Sequence, residues 1–234
     1  MVFQNIKKPD KLYVRIAEQI NSFIVDGTFK SGDKLPPERE IAERFGVSRP
    51  SVREALAVLE IMGVIDIRVG DGTYIKKKTS NFNLEVDSLK DSSTFELIEA
   101  RQLIESLIIE LAIDRATEEQ IAILQETAII MRNCIDTNMN EFYEQGVRFH
   151  KELAIATNNE VFAKISENLV HPVANPLYWL LHQKALNSKD ARMHQILEHE
   201  EIIEAIKTKD KDRAKKALEH HLCHIEELLL FEKD

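Results

Sequence analysis

Glycine is confined to one end of this 234-residue chain. Six of the seven, Gly27, Gly32, Gly46, Gly63, Gly70 and Gly72, lie at or before position 72, and only Gly146 follows. Tight turns need residues free to take positive φ. The asymmetry predicts a front of short elements joined by turns, and long helices behind it.

The front reads as three helices and a hairpin. Tyr13, Ile16, Ile20 and Phe23 recur at helical spacing before a stop at Gly27. Pro37 suits a first helical position, and Glu38 to Phe45 makes a short second helix with Ile41, Ala42 and Phe45 inward. Gly46-Val47-Ser48 is a tight turn, with Ser48 as N-cap of a third helix. Pro50 falls in that helix's first turn, where its missing N–H costs nothing, and Val52, Ala55, Leu56 and Leu59 form the inward stripe. After Gly63 the period changes to two: Ile65, Ile67 and Val69 share a face, Gly70-Asp71-Gly72 turns, and Thr73-Tyr74-Ile75 returns.

From Lys76 to about Ser93 the chain is polar, with a short helix expected near Val86 to Lys90. Helical periods then run over 94–114, 117–136, 140–156, 159–184, 188–208 and 210–231, with kinks expected around Pro172 and Pro176. The expected fold is mainly α: an N-terminal winged helix-turn-helix with a two-stranded β-wing over 1–78, a linker over 79–93, and an all-α bundle over 94–234.

Composition bounds the function. With 44% hydrophobic and 30% charged residues the chain can bury a core. It carries no apolar run of the roughly 18 residues that span a bilayer and no signal-peptide pattern, so a cytoplasmic location and no membrane partner are expected. Cys134 and Cys223 have neither metal-binding nor redox spacing. The net charge of -9 is divided unevenly: residues 1–78 hold 14 Lys and Arg against 11 Asp and Glu, a balance of +3 that leaves -12 for the rest. A nucleic-acid partner belongs at the front.

The third helix has the chemistry for it. Arg49 and Arg53 stand four apart near the helix start, the end that such motifs direct into the major groove, with Ser51 between them. An arginine can donate bidentately to guanine O6 and N7. Arg39 is placed to reach the same groove or a phosphate, and the glycines of the hairpin tip permit close approach to the backbone. The competing reading is that these arginines solvate a helix face, Arg53 pairing with Glu54 or Glu60.

The run from KLYVRIAEQI through LPPEREIAERFGVSRPSVREAL to the wing GDGT, about residues 10–76, resembles the DNA-binding domain of the GntR family of bacterial transcription regulators. The resemblance implies operator binding as a dimer, with DNA contacts at Arg39, Ser48, Arg49, Arg53 and Gly70. Pro50 replaces a polar contacting residue of some members.

In the second part His150, His199 and His221 each lie among apolar neighbours on separate helices, so a bundle can gather them inside. Three neutral imidazoles facing one cavity would suit a divalent transition metal such as zinc or nickel; taken singly, each reads more readily as a satisfied core histidine. Arg101, on the stripe of Ile98 and Ile104, needs an anionic partner if buried, either a ligand carboxylate or an internal acid such as Glu105.

Residues 94–228, through ELIEARQLIE, RFHKELAIATNN, ILEHEEIIEAI and ALEHHL, resemble the FCD ligand-binding domain of the FadR-like branch. That resemblance implies a small carboxylate effector, often beside a metal held by these histidines, with Arg101 on the carboxylate. One departure stands out: Gly146 occupies the position of the family's Asp ligand, four residues before His150. A glycine costs a helix interior roughly 0.5–1 kcal/mol relative to alanine, so close packing or room for a ligand is expected there.

The combined expectation is a homodimeric, non-catalytic regulator that binds a palindromic operator on double-stranded DNA and responds to a small organic acid. Two alternatives stand beside it. One is a metal-dependent enzyme fused to a DNA-binding module; the other is an architectural DNA-binding dimer without an effector.

Overall fold

The computed structural model describes residues 11–68, 71–76, 93–172 and 176–230. They divide into two compact units between Ser93 and Thr94. The tip residues Val69 and Gly70, the short helix expected near Val86 to Lys90, and all of the linker before Ser93 lie outside the described residues.

The first unit contains α1 (Leu12–Val25), α2 (Glu38–Phe45), α3 (Arg49–Ile61), β1 (Ile65–Arg68) and β2 (Gly72–Ile75). α1 turns Tyr13, Ile16, Ala17, Ile20 and Ile24 inward against α3, which buries Val52, Ala55, Leu56 and Leu59. Each large apolar side chain so removed from water contributes about 1.5–3 kcal/mol. Phe23, expected in the inward stripe, is half-buried and packs edge-on against Phe29 at 6.4 Å between ring centres, while Ile24 takes the inward place.

The turn that aims α3 is held at both ends. Gly46 closes α2 in the left-handed region at φ 65°, a conformation that disfavours a Cβ. The Ser48 hydroxyl accepts from the Ser51 amide at 3.4 Å to cap α3. The wing pairs antiparallel from Ile65↔Ile75 to Arg68↔Gly72. A preceding segment leans on it: Leu35 N donates to Thr73 O at 2.8 Å and Ile75 N to Asp33 O at 2.9 Å.

The second unit contains α4 (Thr94–Arg115), α5 (Glu118–Cys134), α6 (Met139–Ile155), α7 (Glu160–Val170), α8 (Pro176–Ala185), α9 (Lys189–Lys207) and α10 (Lys211–Leu230). Side-chain caps start four of them: Thr117 forms a capping box with Gln120, and Asn138, Asn159 and Ser188 accept from amides of the first turn. α4 packs on α10 and α6, α5 on α6 and α9, and α9 on α10. Their shared core is built from Ile108, Ile109, Ala112, Phe149, Leu153, Ile202, Ile206, Leu218 and Leu222.

One expected helix is two. The period over 159–184 is broken after Val170, because His171 is extended at φ -75°, ψ 127°. The ring of a following proline pushes the preceding residue away from helical angles, and Pro172 follows here. Among the described residues no helix is long and apolar enough to cross a membrane.

Candidate functional site

On the first unit the candidate DNA contacts are positioned by the two helices around the Gly46 turn. Arg49, at the start of α3, is exposed and makes no ion pair or hydrogen bond among the described residues. Arg39 is exposed and its Nε donates to Glu43 at 2.9 Å. Arg53, expected to be exposed, has only 12% of its side chain accessible because its Nε lies 2.6 Å from Glu38 of α2. Among the described residues its ion pair is with Glu38 rather than Glu54 or Glu60, since the short α2 places Glu38 beside α3. Ser48 is exposed and spends its hydroxyl on the cap and on Ser51. In the wing, the Arg68 guanidinium lies 4.3 Å from the centre of the Tyr74 ring, and the Tyr74 hydroxyl donates to Asp71 at 2.9 Å.

On the second unit the chain gathers chemistry by repeating one device. Residues four apart share a helix face, and four such pairs converge on a single region: Arg101 and Glu105 on α4, Gly146 and His150 on α6, Tyr178 and His182 on α8, and Gln195 and His199 on α9. His221 of α10 joins them. The three predicted histidines are buried and each brings a ring nitrogen within 4.8 Å of the others.

Their surroundings fix how those nitrogens are used. His150 Nδ1 lies 2.8 Å from Glu105 Oε2, and His221 Nδ1 lies 2.9 Å from Glu198 Oε2. A carboxylate at Nδ1 selects the tautomer with its proton there and leaves Nε2 as a lone pair, the arrangement found behind metal-bound imidazoles. The Nε2 atoms of His150 and His221 then face each other at 3.3 Å, two lone pairs that repel unless a cation or a proton joins them. His199 stacks on Phe149 with ring centres 3.9 Å apart, and neither of its nitrogens has a hydrogen-bond partner among the described residues. Burial holds His199 and His221 well below the ordinary imidazole pKa and lowers His150 despite the opposing Glu105. All three are therefore neutral, the state that coordinates a metal. A buried, partnerless imidazole beside two opposed lone pairs fits a divalent cation.

Beside the histidines lies the charge. Arg101 is 2% exposed, its Nε donating to Glu105 Oε1 at 2.6 Å and its Nη1 to the Tyr178 hydroxyl. Burial works against the guanidinium, yet Glu105 and Tyr178 keep its pKa above the usual value; burial likewise disfavours the Glu105 carboxylate, yet Arg101 and His150 hold it below the usual range. The internal pair with Glu105 is thus present, and it still leaves Arg101 Nη2 without a partner among the described residues.

Arg101, Gly146, His150, Tyr178, His182 and Gln195 line a cavity of ≈ 20 Å³, room for the centre of about one water molecule. Gly146 is not a packing glycine: a Cβ placed on it would meet nothing closer than Gln195 Nε2 and Met131 Cε, each at 3.9 Å.

Sequence reasoning missed Tyr178, His182, Gln195 and Glu198 as parts of this site. Periodicity could place each on a helix, but not say which helices meet.

A winged helix joined to a bundle that encloses imidazoles and an arginine defines the class of ligand-responsive DNA-binding regulators. Residues 12–75 match the family described as bacterial regulatory proteins, gntR family, and residues 96–224 match the FCD domain. The chain belongs to the GntR family of transcription regulators, in its FCD-containing form.

The Uxu operon regulator of Haemophilus influenzae is 36% identical, over 95% of this chain and 83% of its own length. The Exu regulon transcriptional regulator of Escherichia coli is 32% identical, over 93% and 84%. Among solved structures, Escherichia coli McbR/YncC superposes with a TM-score of 0.52 at 18% identity, covering 94% of this chain and 97% of that one, a likeness of fold alone. The protein is a DNA-binding transcription regulator and not an enzyme, which corrects the fused-enzyme alternative. Regulators of this family bind operator DNA and typically respond to small-molecule effectors.

Proposed function

We propose that this regulator acts in the cytoplasm as a homodimer on a palindromic operator, reading it through Arg39, Ser48, Arg49, Arg53 and the wing at Gly70. Residues 1–78 would bind DNA, and 94–234 would bind effector and dimerise, with 79–93 as linker. One recognition helix covers one half-site, so two-fold symmetry in the protein matches two-fold symmetry in the DNA.

In the bundle, His150, His199 and His221 would hold one divalent transition metal such as zinc or nickel. The observation that carries this is the buried His199 with both nitrogens unpartnered beside the opposed Nε2 atoms of His150 and His221. Such an ion supplies a fixed positive charge toward an anionic effector. Glu105 and Glu198 orient His150 and His221 through their Nδ1 atoms. Arg101, with Nη2 to spare, takes the effector carboxylate. Gly146 withholds the anionic ligand expected there, so a water or the effector carboxylate itself completes the coordination.

Coupling follows from volume. An organic acid exceeds the ≈ 20 Å³ cavity, so it favours a wider arrangement of α4, α6, α8 and α9. A ligand shifts an equilibrium only by its preference between two arrangements, typically about 1–3 kcal/mol.

Metal analysis of untagged protein, followed by operator titration with and without a chelator, tests the reading. About one zinc or nickel per chain, with a DNA affinity or effector response that chelation alters, supports it. Metal-free protein that takes up neither ion removes the metal, and equal binding to operator and scrambled DNA at moderate salt removes the operator claim.

A further inference from the structure

Histidines gather twice in the second unit, once inside the bundle and once on its outer face. His194 and Glu198 stand four apart on α9, His220 and His224 stand four apart on α10, and the two helices pack on each other. Residues four apart share a helix face, so two such pairs meet across one contact. His194 and His220 are exposed, and His224 and Glu198 are half-buried. None of the three histidines lines the cavity beside Arg101.

Glu198 is the centre of this outer group. Its Oε1 accepts from His224 Nδ1, and His220 Nε2 stands 3.9 Å from the same oxygen, too far for a hydrogen bond. The ring centres of His194 and His224 are 5.8 Å apart, and those of His220 and His224 are 6.2 Å apart. In the inner triad the corresponding distances are 5.5, 5.3 and 4.7 Å. Two imidazoles sharing one zinc at Zn–N distances of about 2.0–2.1 Å have their centres about 5 Å apart, and a nitrogen and an oxygen on one ion are about 3–3.5 Å apart. The outer rings therefore need to close by about 1 Å or less, which small rotations of exposed side chains supply within their rotamer wells.

The residue types matter as much as the distances. Elsewhere on the outer face of the bundle, carboxylates are paired with full cations: Glu126 with Arg148, Glu200 with Arg132, and Glu201 with Arg213. Around Glu198 the chain places imidazoles instead. A neutral imidazole is a weak counter-ion for a carboxylate and a strong ligand for a divalent transition metal. Surface ion pairing does not account for three of them around one acid.

We infer that His194, His220, His224 and Glu198 form a second site for a divalent transition metal of the zinc class, on the outer face of the α9–α10 pair and separate from the inner triad. Three nitrogens and one carboxylate oxygen complete a tetrahedral set. The ion takes the place of the proton between His224 Nδ1 and Glu198 Oε1, and that proton leaves to solvent. Glu198 Oε2 stays on His221 at 2.9 Å, so one carboxylate is shared between the outer site and the inner triad. The outer site does not depend on whether the inner one holds a metal.

The test is calorimetric titration of zinc into untagged, chelator-stripped, full-length protein, with bound zinc counted by elemental analysis after dialysis. The variants are the double substitution His220→Ala with His224→Ala, and the single substitutions His194→Ala and His199→Ala. The wild type is expected to bind an ion that the double variant loses and that His199→Ala, which removes an inner histidine, retains. In His194→Ala the dissociation constant of that ion should rise about tenfold or more, at least the effect of removing an orienting partner.

Equal zinc uptake and affinity in the wild type and the double variant overturn the outer site. Zinc that is lost in His199→Ala and kept in the double variant also overturns it, and leaves the inner metal standing. A wild type that takes up no zinc overturns both. Unchanged affinity in His194→Ala overturns the four-ligand set. Should the double variant fail to fold by circular dichroism, His194→Ala and His199→Ala decide.

Discussion

Replacing Gly146 by alanine separates two roles that one residue cannot fill equally well. Gly146 lies in the middle of α6, where alanine in place of glycine is worth roughly 0.5–1 kcal/mol. Nothing in the packing opposes the gain, since the added methyl would stand 3.9 Å from both Gln195 Nε2 and Met131 Cε, ordinary contact distances. At about 2–4 °C per kcal/mol for a chain of this size, the melting temperature of Gly146→Ala should rise by about 1–4 °C. The same methyl intrudes on the ≈ 20 Å³ cavity, so the effector's influence on operator binding should weaken. Differential scanning fluorimetry reads the first effect and a ligand-dependent operator titration reads the second. A fall in melting temperature would show that the glycine is there for packing after all. A rise with an unchanged effector response would show that its space is not used by ligand.

Three further outcomes are expected. Glu105→Ala strands the 2%-exposed Arg101 without its carboxylate, and should destabilise the protein by about 3–5 kcal/mol in urea unfolding; a loss under about 1 kcal/mol would mean that Tyr178 alone satisfies the guanidinium. Arg49→Ala should lower discrimination at one operator position by about 1–3 kcal/mol in competition binding; a uniform loss across all sequences would reassign Arg49 to the phosphates. Gly72→Ala forces a side chain to φ 140° and a Cβ to 2.2 Å from Lys34 Cε, so it should cost about 1–3 kcal/mol and weaken operator binding, and unaltered stability with unaltered DNA affinity would show that the wing adapts freely.

Local order was legible in the sequence because local physics creates it. The cap at Ser48, the tight turn at Gly46 and the period change into the wing are decided within a few residues of themselves, and they stand where the spacing puts them. The three histidines were legible for a different reason: each polar ring interrupts an apolar stripe, and a bundle has one interior in which such faces can meet. The break at His171 was only half legible, since a proline predicts a kink but not that α7 and α8 become separate helices. Long-range pairs left no local trace. Arg53 meets Glu38 across a turn, Arg101 meets Tyr178 77 residues away, and Glu198 meets His221 across two helices. Such partners depend on which faces dock.

The acidic neighbours on the reading head have a thermodynamic consequence. Glu43 and Glu38 already neutralise Arg39 and Arg53 at 2.9 and 2.6 Å. These glutamates are tethered surrogates for phosphate, and a duplex must compete with them before it gains either cation. If Arg39 and Arg53 are DNA contacts as proposed, fewer sodium ions are expelled than the tally of arginines suggests, and a shallow salt slope of operator affinity is expected. On the proposed contacts, a regulator wired in this way would let go of random chromosome readily and keep its grip for sites that also satisfy the unencumbered guanidinium of Arg49.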